Sequence, residues 1–180
     1  KIRSTKAAKQ SMQRRGIRRE TRIRGSRKLI HIIPTEDHDS LNELYERNDL
    51  EISEDEPVGT DAVQSWILKQ DEETAGAATL AVRQGEYIID GIALEPGFRG
   101  GGLGTALLKT VIDDVRQRGG SRIYLVARAP EFFAANGFSE VERSDAPMFF
   151  ECFGCDQYNV RCFPKVMKYV LKEAEESEKK

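Results

Sequence analysis

Glu95-Pro-Gly-Phe-Arg-Gly-Gly-Gly-Leu-Gly104 stands between an apolar run and a helical pattern, and that placement decides how the chain is read. Before it, Tyr87 to Leu94 (Tyr-Ile-Ile-Asp-Gly-Ile-Ala-Leu) has the composition of a buried strand. After it, Thr105 to Val115 sets Ala106, Leu107, Val111, Ile112 and Val115 at helical spacing. Glycines between a strand and a helix let the backbone approach a ligand closely. Their N–H groups and the positive helix end suit anionic oxygens, and Arg99 adds a fixed charge. The stretch therefore reads as a phosphate cradle.

Three rival readings fit less well. A Walker loop needs Gly-Lys-Ser/Thr after its last glycines, whereas this chain continues Gly104, Thr105, Ala106. A dinucleotide fingerprint needs glycines at its first, third and sixth positions; Gly100 and Gly102 supply two, but the sixth is Thr105. A plain turn accounts for glycines alone. It does not account for Pro96 closing the strand, for Arg99, or for a helix that starts at once.

Arg99, Gly102 and Gly104 after a strand match the pattern Arg/Gln-x-x-Gly-x-Gly/Ala, and here the chain resembles the GNAT superfamily of N-acetyltransferases, whose acetyl-CoA signature this is. The resemblance extends beyond the loop. Arg122 to Val126 is a strand pattern, and Pro130 to Asn136 is a short helix followed by Gly137-Phe138, the order found in that superfamily. About Leu29 to about Phe150 is covered. The stretch Leu125-Val-Ala-Arg-Ala-Pro-Glu-Phe-Phe-Ala-Ala-Asn-Gly-Phe138 is similar to the branch that contains stand-alone N-acetylglutamate synthases, which often carry a cysteine-bearing tail.

That resemblance implies an α/β (α+β) fold: a mixed, mostly antiparallel central sheet with a splayed strand pair and helices on both faces. It implies acetyl-CoA as cosubstrate. The main chain of Ile92, Ala93 and Leu94 would pair with the pantetheine arm, and Arg99, Gly100, Gly101, Gly102, Leu103, Gly104 and Thr105 would hold the pyrophosphate. Transfer to an amine also needs a base to remove a proton. Asp90 is the candidate, because it interrupts an apolar strand and alternation puts it on the side of Ile88 and Ile92. Satisfaction by backbone or a neighbouring arginine explains Asp90 equally well. Glu86 is the reserve, with Tyr87 third. Many members carry a tyrosine in the short helix as acid for the departing thiolate; this chain has Phe132 and Phe133, so that acid is missing.

The remaining elements read coarsely in order. Leu29 to Ile33 is a strand broken by Pro34, and Thr35 caps a helix through about Arg47 with Leu41, Leu44 and Tyr45 as its apolar stripe. Asn48 to Gly59 is acidic and turn-rich, and Asp61 to Val63 suggests a short helical turn. Ser65 to Lys69 and Gly76 to Arg83 read as strands around the turn Asp71 to Thr74, and Gln84-Gly85 leads into the strand ending at Leu94.

With 180 residues, a 39% apolar share and a net charge of −2, one core and one domain with extensions are expected. The expected division is a basic arm over 1–28, the transferase domain over 29–150 and a cysteine-bearing extension of it over 151–180. The arm holds twelve Lys or Arg against Glu20 alone, but no aromatic residue to stack on a base. It reads as a solvated or self-docked arm ahead of a nucleic-acid contact. No apolar run approaches the roughly 20 residues that span a bilayer. The amino-terminal residues contain no apolar h-region, so a cytoplasmic setting without membrane is expected.

Cys152, Cys155 and Cys162 form C-x-x-C-x-x-x-x-x-x-C. Zinc needs four ligands, and His31 and His38 lie far off in sequence. A zinc knuckle at these three cysteines is therefore disfavoured, a redox or disulfide role stays open, and packing thiols are the plainest reading. A small amine, an amino acid or related compound, is the expected acceptor. Branch resemblance suggests glutamate, while the acidic residues Glu51, Glu54, Asp55 and Glu56 suit a cationic amine or peptide. A regulatory module that binds acetyl-CoA without catalysis is the reading from another class, and a homodimer stays open.

Overall fold

The computed structural model describes residues 19–21, 29–50, 59–147, 150, 156 and 158–171. Most of the basic arm, the acidic residues Glu51, Glu54, Asp55 and Glu56, Cys152, Cys155 and the tail 172–180 lie outside the described residues.

Eight strands make one sheet: β1 (Arg19–Thr21), β2 (Ile30–Thr35), β3 (Thr60–Gln70), β4 (Glu73–Arg83), β5 (Glu86–Leu94), β6 (Arg122–Ala127), β7 (Ser139–Glu140) and β8 (Lys165–Val170), in the order β1-β2-β3-β4-β5-β6-β8-β7. Every neighbouring pair is antiparallel except β5 and β6, which are parallel and meet in the single register pair Ile88↔Tyr124. Beyond that pair the two strands splay apart, as expected.

Helices cover both faces. α2 (Leu103–Gln117) and α3 (Pro130–Ala135) lie on one face, where Leu107, Leu108, Val111, Val115 and Phe133 bury against Leu68, Leu80 and Ile123. On the other face α1 (His38–Arg47) buries Leu41, Leu44 and Tyr45 against Ala77 and Ala93. A second cluster on that face joins Ala81, Ile88, Tyr124 and Val166. The fold is the mixed, mostly antiparallel α/β sheet that the sequence implies.

Three local expectations are corrected. β2 continues through Pro34, which pairs with Trp66 of β3. Among the described residues the β1 pairing reaches only Ile32, so no described residue of β1 calls on the absent N–H of Pro34. The cap of α1 is Asp37 rather than Thr35: its carboxylate accepts from the Ser40 N–H at 3.1 Å and from the Ser40 hydroxyl at 2.7 Å. Those bonds hold the Asp37 carboxyl below its ordinary pKa, the Ser40 hydroxyl contributing most. Thr35 instead accepts from the Asp37 N–H at 3.1 Å. Residues 61–63 are strand, not helix, because Thr60, Asp61 and Ala62 pair with Arg83, Val82 and Ala81. Tertiary pairing overrides so short a local pattern.

The alternation assumed for β5 also fails. Thr79 pairs with Gly91 and Leu80 with Ile89, so Asp90 is an extra residue with no partner in the β4 register. This is a β-bulge. Ile88 accordingly packs with Tyr124 and Val166, whereas Ile92 packs against the α2 cluster on the opposite face.

Candidate active site

Gly100 and Gly102 have φ of +83° and +79°, the left-handed region that a side chain resists. A Cβ at Gly97, Gly100 or Gly101 would meet nothing within 4 Å, so the outer side of the loop is open. Gly104 faces inward, where a Cβ would stand 3.2 Å from Phe132 Cζ and 3.3 Å from Leu94 Cδ1. This lets α2 start close against β5 and α3.

Gly102 caps α2 and supplies no side-chain bond, and the first turn holds no acidic residue. The opening N–H groups of a helix have no partner within it and carry partial positive charge. An exposed helix start left uncapped and unneutralised, preceded by two left-handed glycines, fits a phosphate group. A groove of about 230 Å³ continues from it along α2, lined by Thr105, Leu108, Lys109 and Ile112 together with Asn136 and Tyr169.

Arg99 turns back on its own strand. Its Nε donates to the Leu94 carbonyl at 3.0 Å and its Nη2 to Asn48 Oδ1 at 2.8 Å. Arg47 donates to Glu95 Oε1 at 3.0 Å, and Asn48 Nδ2 donates to the Leu44 carbonyl at 2.9 Å. Arg128, just past β6, donates to the Asp49 carbonyl. The glycine loop and the end of α1 are thereby tied into one unit.

The bulge lies farther back on β5. Asp90 precedes Leu94 by four residues, roughly 13 Å along a strand, and sits where β5 and β6 have parted. Its side chain is 38% exposed, and its Oδ1 lies 3.4 Å from Nη2 of Arg83, which is 5% exposed. Arg83 Nε also donates to Thr60 Oγ1 at 2.8 Å. A partly exposed carboxylate and the neighbouring arginine that the sequence reading allows for thus meet here. Glu86 sits at the opposite end of β5, in a bidentate pair with Arg122. That bond raises the Arg122 pKa above its ordinary value. Tyr87 packs its ring against the α2 cluster, and a Cβ at Gly120 would come within 2.8 Å of it.

Some contributors were not legible in the sequence. The helical spacing of Tyr45 makes it part of an apolar stripe, yet its hydroxyl lies 2.9 Å from Thr79 Oγ1 and 3.4 Å from the Gly91 carbonyl. Ser65 Oγ lies 3.0 Å from Thr79 Oγ1. Two buried hydroxyls on adjacent strands were the available signal, but only the register brings them level. Phe133 is core, and Phe132 packs beside it in an edge contact with centroids 5.0 Å apart. Cys162 is a free thiol. Among the described residues no group of three His, Cys, Asp or Glu gathers to hold a metal, and no helix is long and apolar enough to cross a membrane.

Comparison with known proteins bears on the family and the fold. The acetyltransferase (GNAT) family profile matches residues 28–138. The fold is similar to N-acetylglutamate synthase from Neisseria gonorrhoeae solved with coenzyme A and N-acetyl-glutamate, at 22% identity and a TM-score of 0.59 over 80% of this chain and 35% of that one. This chain thus spans about a third of that synthase. It is also similar to a GNAT-family acetyltransferase from Staphylococcus aureus Mu50 (21% identity, TM-score 0.59, 79% and 99% covered). A third similar structure is the ribosomal-protein-S18-alanine N-acetyltransferase from Escherichia coli (20% identity, TM-score 0.55, 84% and 99% covered). With a profile match running from before β2 to the Gly137-Phe138 ending, over a sheet that splays at the matching strand, the chain belongs to the GNAT family of acetyltransferases.

Proposed function

We propose that this protein transfers an acetyl group directly from acetyl-CoA to the primary amine of a small molecule, of the amino-acid class that includes glutamate. The observation that carries the reading is the pairing of an uncapped, glycine-led helix start with a bulged carboxylate on the same strand-loop-helix unit. The donor, when bound, supplies an acetyl group already activated as a thioester.

The residues here do the rest. Backbone N–H groups from Gly100 to Thr105 hold the pyrophosphate, and the groove along α2 beside Lys109 suits the nucleotide end. Ile92, Ala93 and Leu94 lie beyond the one β5–β6 register pair, on the side where a pantetheine arm would pair with their main chain, although the Leu94 carbonyl already accepts from Arg99 Nε. Asp90 accepts the amine proton, directly or through water, and Arg83, 3.4 Å from its Oδ1, orients the carboxylate. Glu86, held by Arg122 roughly 26 Å of strand away from Leu94, is the reserve base. The choice of an amino acid follows from likeness to the synthase, in which N-acetyl-glutamate is bound. A zinc role at Cys152, Cys155 and Cys162 forms no part of this reading.

A non-catalytic acetyl-CoA module is the second reading. Phe133 in the core and Phe132 against Gly104 favour it, because the short helix then offers no proton donor. Thiol release from acetyl-CoA across a panel of amino acids, polyamines and peptide amines separates the two. The expected outcome is release dependent on one acceptor class, with kcat lowered about 100-fold in Asp90→Asn, the usual scale for a general base. Loss confined to Glu86→Gln would move the role to Glu86. Donor binding without acceptor-dependent release would favour the module.

A further inference from the structure

A row of hydroxyls buried beside the bulge has no part in the proposed chemistry. Ser65, Thr79 and Gly91 form one rung across β3, β4 and β5. Toward the Glu86 end the register slips on both flanks: Asp90 is the extra residue on β5 directly after this rung, and Val63 is the extra residue on β3 one pair farther, past Gln64↔Leu80. The rung is therefore the last one before the β5 bulge. Tyr45 descends on it from α1. Its hydroxyl reaches Thr79 Oγ1 at 2.9 Å and the Gly91 carbonyl at 3.4 Å, and Ser65 Oγ lies 3.0 Å from Thr79 Oγ1.

One direction of donation uses all three hydroxyl protons. A carbonyl only accepts, and each hydroxyl has one proton to give. Every hydroxyl is used when Ser65 donates to Thr79, Thr79 to Tyr45, and Tyr45 to the Gly91 carbonyl. The ring is seated as firmly as the hydroxyl: a Cβ at Gly91 would stand 2.8 Å from Tyr45 Cζ, so only glycine admits it. Tyr45 is 5% exposed, and burial, reinforced by the charge of Asp90, pushes its phenol above the ordinary pKa. It stays a neutral donor throughout the neutral range.

A bulge is a register choice, and a shift by one residue turns the following side chains to the other face. A shift of β5 here would take Gly91 from beneath the ring, put a residue with a Cβ in its place and remove the carbonyl contact of the phenol, which is costly. We infer that Tyr45 is a positioning residue that pins the bulge, through Thr79 and Gly91, and so keeps Asp90 and the backbone at Gly91 facing the splay. The inference rests on the acetyl-transfer reading for its kinetic consequence, but its structural consequence can be measured separately. Its near-complete burial between two partners sets it apart from a residue that gives its proton to substrate.

The test combines steady-state kinetics with amide hydrogen exchange on the full chain carrying Tyr45→Phe, Thr79→Val or Thr79→Ser. Tyr45→Phe and Thr79→Val each should lower kcat about tenfold, leave KM for acetyl-CoA within about twofold, and lose no more in combination than singly. Thr79→Ser, which keeps the hydroxyl, should retain wild-type kcat. In the donor-free protein, exchange at residues 79–80 and 89–92 should quicken about tenfold in Tyr45→Phe, with residues 107–111 of α2 unchanged. Wild-type exchange in Tyr45→Phe, additive losses, or quickening spread equally through α2 would overturn the inference. If the wild-type protein releases no thiol with any acceptor, the transfer reading fails, and the exchange pattern still decides whether Tyr45 pins the bulge.

Discussion

At Tyr45 one side chain serves two purposes that the sequence merges. Its spacing with Leu41 and Leu44 makes it part of an apolar stripe, and its ring is buried with them. The hydroxyl has partners on β4 and β5 that no local pattern reveals, because Thr79 and Gly91 come level only through the register. A consequence appears in alkali. The folded phenol titrates above its unfolded value of 10.0, so the folded state holds the proton longer. Its contribution is complete below pH 10 and declines as pH rises above 10 toward the folded value. Denaturant midpoints measured from pH 8 to 11 should therefore fall more steeply in the wild type than in Tyr45→Phe. Equal slopes would show that the phenol is not held as described. Asp90, by contrast, was legible as a charge inside an apolar strand; its bulge was not, since one inserted residue leaves no mark in composition.

Among the elements, α2 carries the clearest sequence signal. The glycines, the apolar spacing and the absence of acids at the start agree, and the helix runs from Leu103 to Gln117. Its start is unneutralised, and this gives two opposite effects for one substitution. Thr105 is exposed in the first turn, so Thr105→Glu should stabilise the helix by about 0.3–1 kcal/mol through the macrodipole. The same charge should repel a pyrophosphate and raise the dissociation constant for acetyl-CoA at least about tenfold. Thermal melting and calorimetric titration of the variant check both. A rise in melting temperature with unchanged affinity would mean that the donor does not sit at this helix start. β2 and the start of β3 were read less well, because Pro34 and residues 61–63 take their state from neighbouring strands rather than from local preference.

For the molecule as a whole, the order of strands depends on a segment whose sequence gives little away. β8 is inserted between β6 and β7, pairing with β6 from Lys165↔Ala127 to Val170↔Arg122. Met167 is 2% exposed and belongs to the main cluster. The residues after the family match thus close the sheet beside the splayed strand. Met167→Ala should cost about 2–5 kcal/mol in chemical denaturation, the range for truncating a fully buried side chain. A loss below about 1 kcal/mol would mean that β8 packs loosely. The sequence made the central helix, the splay and the glycine-led start of that helix legible through the family pattern. It could not supply the strand order at the edge or the cross-strand hydroxyls, which are non-local.

Crystallography of the protein with acetyl-CoA tests the central claim most directly. The account predicts pyrophosphate oxygens on the N–H groups of residues 100–105 and the thioester carbonyl beside the Asp90–Gly91 bulge in the opening between β5 and β6. Pyrophosphate bound away from the start of α2, or a thioester remote from the bulge, would contradict it.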